Sequence, residues 1–479
     1  MASINHPIRK NIVLLVLIFF YLAGCASSTT VPIPSTTPII AWQKTFLAVN
    51  WYQQDQITTA DLWNSGPDGH SGMGTYQSSF NGYFYPNLDQ QWQQTPADVT
   101  SAVEQSRGIY MNVEAYRTAG PQKGQRFLNG ITKGIDFLQA HFLDTRYGGY
   151  YWQVANDGTV RDDQKQGYGN AHVMMVLAQA YSVTHNPNYL QDALNQLAII
   201  EKHFVDPAYP GSYRPNYNRD FSQIQGNNNI DVITHYLEGL LALFDVTTGA
   251  THNHLTHLVQ QEGDFIASHL YHNEDGYTDR GYVAYNYDAH WQPSQQPYTR
   301  ETQWSGALQA STGHNIELAY LVSRAIERGF NAKWLDVGYK LIKFCLLYAI
   351  DPKTGGMLYE ITDYHGKPLP GNPDNSLYIY WPQAETARAL LHYTVVRGAD
   401  FGKQFKKAEA FFNQYMTDQH YGGLWQGVDA STLKPGDNTT KGDIWKADYH
   451  ENMYFTEVLR LGAKYPTQIA ALNKKWAAA

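Results

Sequence analysis

The chain has 479 residues, 43% of them hydrophobic and only 16% charged, which is enough to bury a large core in one big domain or in two to three ordinary ones. Its formal net charge is −8 and it carries no run of Lys or Arg, so a surface that tracks a phosphate backbone is excluded and nucleic acid is not an expected partner. Its 36 Tyr and 12 Trp serve core packing, and exposed aromatics also stack on sugar faces.

Residues 1–25 read as a leader. Arg9 and Lys10 form a short positive region, and the apolar run Ile12–Leu22 is too short to span a membrane as a mature helix. It ends in Leu22-Ala23-Gly24-Cys25, which looks like a bacterial lipobox. The motif implies export, a lipid on Cys25 and a membrane-anchored protein facing the periplasm or the cell exterior; an ordinary signal peptide is the alternative. Residues 26–40 read as a flexible tether, and 41–479 as one domain, because no low-complexity linker interrupts it. Cys345, in KFCLLYAI, reads as a small core residue; with Cys25 lipidated it has no disulfide partner.

Short turn-rich segments then recur. Glycine followed by apolar or aromatic residues appears at Gly82, Gly148-Gly149, Gly211, Gly276, Gly355-Gly356 and Gly422-Gly423, at intervals of 63 to 79 residues. Glycine tolerates the positive φ of tight turns, so each segment predicts a short β-hairpin. Between the turns the apolar spacing is helical. It predicts helices near 41–56, at 97–118, 124–143, 168–184, 188–204, 229–248, 251–271, 307–328, 332–350, 378–396, 402–417 and 446–463, and a short one near 466–475. The first helix after a turn is often apolar on every side, as in HVMMVLAQAY, and the next is amphipathic, as in KKAEAFFNQYM. A helix apolar all round must be covered all round. Six inner helices ringed by six outer ones satisfy that: an all-α (α/α)6 barrel with short β-hairpins in its loops. A linear solenoid would need polar capping repeats, which neither end shows.

Each inner helix carries an ionisable residue in or near its early turns: Arg107, His172, His235, His314, Glu385 and His450, again 63 to 79 residues apart. In a closed barrel the six are expected at similar depth around one axis, at a pocket. Such a ring would be costly without partners or ligand. Glu317, three residues after His314, shares its helix face and is expected to orient the imidazole. Two histidines on opposite sides of a pocket can take a proton from one face of a carbon and return one elsewhere. His252, His254 and His257 read as a solvated face of an outer helix. HxxE spacing also occurs at metal sites, but no CxxC, HExxH or carboxylate cluster accompanies it, so no metal is expected. No GxGxxG after a strand, P-loop or GxSxG supports redox-cofactor or serine hydrolase chemistry.

Over roughly residues 80–460 the chain resembles the N-acylglucosamine 2-epimerase family, which includes cellobiose 2-epimerases, mannose isomerases and sulfoquinovose isomerases. SRGIYMNVEAYR at 106–117, GGYYWQVANDGTVRDDQKQGYGNAH at 148–172, THYLEGLLALF at 234–244, TGHNIELAYLVSRA at 312–325, YWPQAETARALL at 380–391 and WKADYHENM at 445–453 carry the likeness, in order and at the family's spacing. The chain departs from the pattern at His172 (more often Phe), Asp448 (often Pro) and Met453 (Arg in cellobiose epimerases), all near the pocket.

The resemblance implies an isomerase that epimerises, or converts between aldose and ketose, the reducing end of a mono- or oligosaccharide. It implies His314 and His450 as the acid/base pair acting through a cis-enediolate, and His235 in binding and ring opening. Arg107 would contact the oxygens at C1 and C2. Tyr168, Glu317, Trp381, Glu385 and Trp445 would bind the sugar or orient the histidines, with Trp445 as a stacking platform. No metal or organic cofactor is implied, the partner is a small sugar, and the protein is expected as a monomer or homodimer. The alternatives are a glycoside hydrolase on the same barrel, with Glu317 and Glu385 flanking the scissile bond, and a sugar-binding lipoprotein without catalysis.

Overall fold

A computed structural model describes residues 49–65, 82–97, 99–273, 276–302 and 306–477. The leader, Cys25, the tether and residues 41–48 of the expected first helix lie outside the described residues. The helices are α1 (Val49–Ser65), α2 (Ala102–Lys123), α3 (Gln125–Phe137), α4 (Gly167–Thr184), α5 (Pro187–His203), α6 (Ile230–Val246), α7 (Gly249–Phe265), α8 (Thr312–Glu327), α9 (Trp334–Tyr348), α10 (Tyr380–Val396), α11 (Gly402–Phe411), α12 (His450–Lys464) and α13 (Pro466–Ala477).

The even-numbered helices from α2 to α12 pack each on the next, and α12 returns to α2. Each of α3, α5, α7, α9 and α11 packs on the inner helix that precedes it, and α1 lies across α12 and α2. The result is the (α/α)6 barrel. Sequence explains the division of labour. α4 buries every residue from Gly169 to Ala178, whereas α5 buries only Tyr189, Ala193, Gln196, Leu197 and Ile200, one stripe at helical spacing. Each buried Val, Leu or Met of the inner ring contributes about 1.5–3 kcal/mol.

The structure corrects several helix boundaries. Four inner helices begin two to five residues later than the apolar spacing predicts, at 102, 312, 380 and 450. Ahead of α2, α4, α6, α8 and α10 the chain is extended: Thr100–Ser101 pairs with Gln153–Val154, Lys165–Gln166 with Asn216–Tyr217, Asn228–Asn229 with Asn286–Tyr287, Ala310–Ser311 with Ile361–Thr362, and Leu377–Ile379 with Gly427–Asp429. These antiparallel ladders join one repeat to the next and satisfy backbone groups that an early helix start would have left bare. They also set the depth at which these five inner helices begin. At the other boundary α3, α7 and α11 end in a π-helical turn, at Leu138–Phe142, Ile266–Leu270 and Phe412–Met416. The first helix is described from Val49, with Tyr52 and Trp63 buried, and runs on to Ser65, past the expected end near 56.

The glycine turns sit where expected, but four of their hairpins are a single bridge long: Leu143 with Tyr150, Val205 with Tyr213, Ile350 with Met357 and Thr417 with Leu424. Gly148 and Gly149 adopt φ of +80° and +69°. Asp144 closes that turn, its carbonyl accepting from Gly148 N–H (2.8 Å) and its carboxylate from Arg146 N–H (3.0 Å) and the buried Lys165 ammonium (3.1 Å). Among the described residues no helix is long and apolar enough to cross a membrane.

Candidate active site

The ladders leave the N-terminal ends of the inner helices around one cavity of about 410 Å³. Arg107, Tyr168, His235, His314, Glu317, Trp381, Trp445 and His450 line it, so eight of the nine residues that the resemblance implies at the site meet at one place. Glu385 lies just behind the wall, against His450. Asp231, Tyr285, Glu360 and Tyr380 also line the cavity and were not anticipated.

The expected ring of equal depth is corrected. Arg107, His172, His235 and Glu385 are each the sixth residue of their helices, and in α8 that place belongs to Glu317. His314 is the third residue of α8, about 4.5 Å nearer the mouth at 1.5 Å per residue, and His450 opens α12. The cavity therefore has a floor of Arg107, His235 and Glu317 and an upper tier of Tyr168, Asp231, His314, Trp381 and His450. The helix N-termini that surround it favour negative charge.

Each histidine has a distinct setting. His314 Nε2 pairs with Asp231 Oδ1 at 2.6 Å, and its Nδ1 meets Ser311 Oγ at 2.6 Å. The orienting carboxylate is thus Asp231 of α6, which also accepts from Tyr285 Oη (2.6 Å), and not Glu317. Glu317 points down the same helix to the floor, because its side chain leaves α8 one turn deeper. Asp231 is held below the usual carboxylate range: burial opposes that, but the His314 contact prevails. His450 Nδ1 lies 2.8 Å from Glu385 Oε1, and its Nε2 lies 3.5 Å from Arg107 Nη2. Guanidinium only donates, so Nε2 is the lone-pair nitrogen and Nδ1 carries the hydrogen. Burial, then Arg107 and Arg388, push the His450 pKa well down, which keeps it neutral. His235 Nδ1 lies 3.1 Å from Glu238 Oε2, which also accepts from Tyr449 Oη. Burial lowers the His235 pKa, with Glu238 in partial opposition. His172 lies behind this wall, fully buried, 4.6 Å from His235 ring to ring, and neither of its nitrogens has a partner among the described residues. Burial and His235 keep it neutral.

Arg107 is 3% exposed, and donates to Tyr168 Oη (2.6 Å) and to the Trp445 carbonyl. Trp445 is 45% exposed at the rim, 5.1 Å from Trp152 and 6.0 Å from Tyr168, an aromatic wall open to a flat ligand face. Trp381 stands between the two key imidazoles, 4.8 Å from His314 and 5.3 Å from His450 by ring centre, and its Nε1 donates to Glu360 Oε1 at 3.0 Å. Burial raises Glu360 to about 7.

Glu317, Glu385 and His450 bring ligand atoms within 4.8 Å of one another, a spacing a metal ion can use. The Arg388 guanidinium already provides the positive charge there, in contact with Glu385 and 3.8 Å from Glu317. Two carboxylates this close, under one wall, do not flank a scissile bond, which needs ~5–10 Å with the sugar between them. Outside the cavity, His254 and His257 are exposed and His252 is half-buried on α7. Cys345 is a buried core thiol donating to the Thr312 carbonyl (3.3 Å).

Asp231 and Glu238 had a sequence signal, lying four before and three after His235, one turn away on the same face. Tyr285 and Glu360 arrive from loops, where no periodicity points to them. Of the departures, Asp448 is buried beside Asn452 (3.3 Å) away from the cavity lining, and Met453 packs on Arg388.

The family described as N-acylglucosamine 2-epimerase (GlcNAc 2-epimerase) matches residues 82–452. A cellobiose 2-epimerase of Bacteroides fragilis is 25% identical over 394 residues, 79% of this chain and 92% of that protein. A D-mannose isomerase of Marinomonas mediterranea is 23% identical over 372 residues, 75% and 86% of the two chains. Among solved structures, a D-mannose isomerase superposes with a TM-score of 0.72 at 20% identity, covering 88% of this chain and 99% of the other. The cellobiose 2-epimerase from Bacillus thermoamylovorans B4167 gives 0.71 at 19%, covering 86% and 98%. Both confirm the fold.

Proposed function

For a chain that belongs to the N-acylglucosamine 2-epimerase family, and is therefore a sugar epimerase or isomerase, we propose proton transfer at C2 of a reducing sugar between His450 and His314. The observation that carries this reading is the opposite poise of the two imidazoles beside Trp381. His450 turns a lone pair to the cavity, and His314 holds its Nε2 2.6 Å from the Asp231 carboxylate.

In this reading the ring opens with help from His235, whose Nδ1–H is fixed by Glu238 and whose Nε2 is left for the sugar hydroxyl. His450 removes the C2 proton, and the electron pair moves into a C1–C2 double bond. The resulting cis-enediolate oxygen meets the Arg107 guanidinium and the surrounding helix N-termini, preorganised charge of the kind commonly worth several kcal/mol. His314 returns a proton to the other face of C2, giving the epimer; return at C1 gives the ketose. In the reverse direction the two histidines exchange roles. Trp445 and Trp152 at the open rim support a stacked sugar, and a second sugar unit would project past them into solvent.

The Leu22-Ala23-Gly24-Cys25 motif supports a lipid-anchored enzyme acting outside the cytoplasm. Incubation of the purified protein with cellobiose, glucose and mannose in deuterated water, followed by proton NMR, tests the chemistry. Loss of the C2 or C1 proton signal with the sugar chain length unchanged is expected. Release of monosaccharide from the disaccharide, without deuterium entry, would overturn it.

A further inference from the structure

A second cavity, of about 600 Å³, opens at the C-terminal ends of the inner helices. Arg388 and Glu238 line it, and both also touch the machinery of the first. Arg388 is 2% exposed, sits over the Tyr320 ring at 4.1 Å, contacts Glu385 through Nη2 and lies 3.8 Å from Glu317. Both carboxylates are fully buried.

The protonation of Glu385 decides what His450 can do. An ionised Glu385 accepts the Nδ1–H and leaves the Nε2 lone pair facing the sugar. A protonated Glu385 donates to Nδ1, forces the hydrogen onto Nε2, and the base is lost. Burial alone favours the protonated form. The groups that act on Glu385 are Glu238 from α6, His314 and Glu317 from α8, and His450 from α12, with Arg388 on α10 itself. Glu238 and Glu317 oppose ionisation, and Arg388 is the guanidinium in direct contact that favours it.

We propose that Arg388 is a positioning residue: as the countercharge of Glu385 it fixes the Nδ1–H tautomer of His450. The proposal rests on the preceding reading for what His450 does to a sugar, though not for the tautomer. Met453, on α12, brings its Sδ to 2.7 Å from Arg388 Nη1, so side chains from positions 388 and 453 reach the same place. A guanidinium supplied from either helix should serve.

The test compares wild type, Arg388→Met and the exchange variant Arg388→Met with Met453→Arg. Nitrogen-15 histidine NMR, with His450 assigned through His450→Gln, reads the tautomer without any substrate. The pH profiles of kcat and KM read its consequence. Arg388→Met should shift His450 to Nε2–H, lower kcat by about 100-fold with KM changed less than about threefold, and move the acid limb upward. The exchange variant should restore Nδ1–H and recover at least about tenfold in kcat. An unchanged tautomer and profile in Arg388→Met overturns the proposal. If that variant does not fold, the exchange variant decides alone: Nδ1–H supports the proposal, while Nε2–H or failure to fold overturns it. If wild type turns over no sugar, the functional reading fails and the NMR still judges Arg388.

Discussion

Gly313→Ala tests how closely the cavity depends on Trp381. A Cβ on Gly313 would stand 2.3 Å from Trp381 Cη2 and under 3 Å from its neighbours Cζ2 and Cζ3. Ordinary carbon contact begins near 3.5 Å, so the indole must retreat by about 1 Å. It cannot do so alone. Its Nε1 is tied to Glu360, and its ring is wedged between His314 and His450. A displacement of about 1 Å among positioned catalytic groups costs roughly 100-fold in rate. Stability should respond far less. Overpacking costs about 1–3 kcal/mol, and replacing glycine by alanine in a helix returns about 1 kcal/mol. The assay is kcat on the sugar identified by deuterium exchange, alongside calorimetry. The expected result is kcat down about 100-fold with Tm lowered by a few degrees. A kcat within about twofold of wild type would refute the argument that Trp381 sets the spacing of the two imidazoles.

Asp231→Asn removes the anion at His314 Nε2 while keeping the shape of the Tyr285 contact, and should lower kcat by about 100-fold or more in steady-state assays. Turnover should fall on the acid side with a midpoint near 7: Glu385, raised to about 7 chiefly by burial, takes up a proton below that value and the Nδ1–H acceptor of His450 is lost. A rate-against-pH profile checks it. Asp144→Asn strands the fully buried Lys165 ammonium and should cost about 3–5 kcal/mol in urea unfolding at pH 7, with little change in KM if the protein is assayed folded.

The barrel was legible because it is built from a repeated unit: six glycine turns at near-constant spacing and helices whose apolar residues either encircle the axis or form one stripe. The residues before Ala102, Thr312 and Tyr380 misled, because an extended run leading into an inner helix reads like the helix, and only its partner strand in the next repeat distinguishes them. The site was legible as a set, since repeat spacing alone brings Arg107, His235, His314 and His450 to one mouth. Its pairings were not. His314 lies three residues before Glu317, yet Asp231 from another helix reaches it first, because His314 sits one turn above the floor where Glu317 ends. Partners on neighbouring inner helices depend on helix start depth, which the ladders ahead of α6 and α8 fix and local sequence does not.

Single-histidine variants assayed for hydrogen exchange at C2 put the central claim to its most direct test. His314→Ala should still let His450 remove and return a proton on its own face, so one epimer gains deuterium at C2 without being converted. His450→Ala should do the same to the opposite epimer. Exchange confined to the same epimer in both variants, or conversion that survives in either, would contradict a reaction carried by two imidazoles on opposite faces of one sugar.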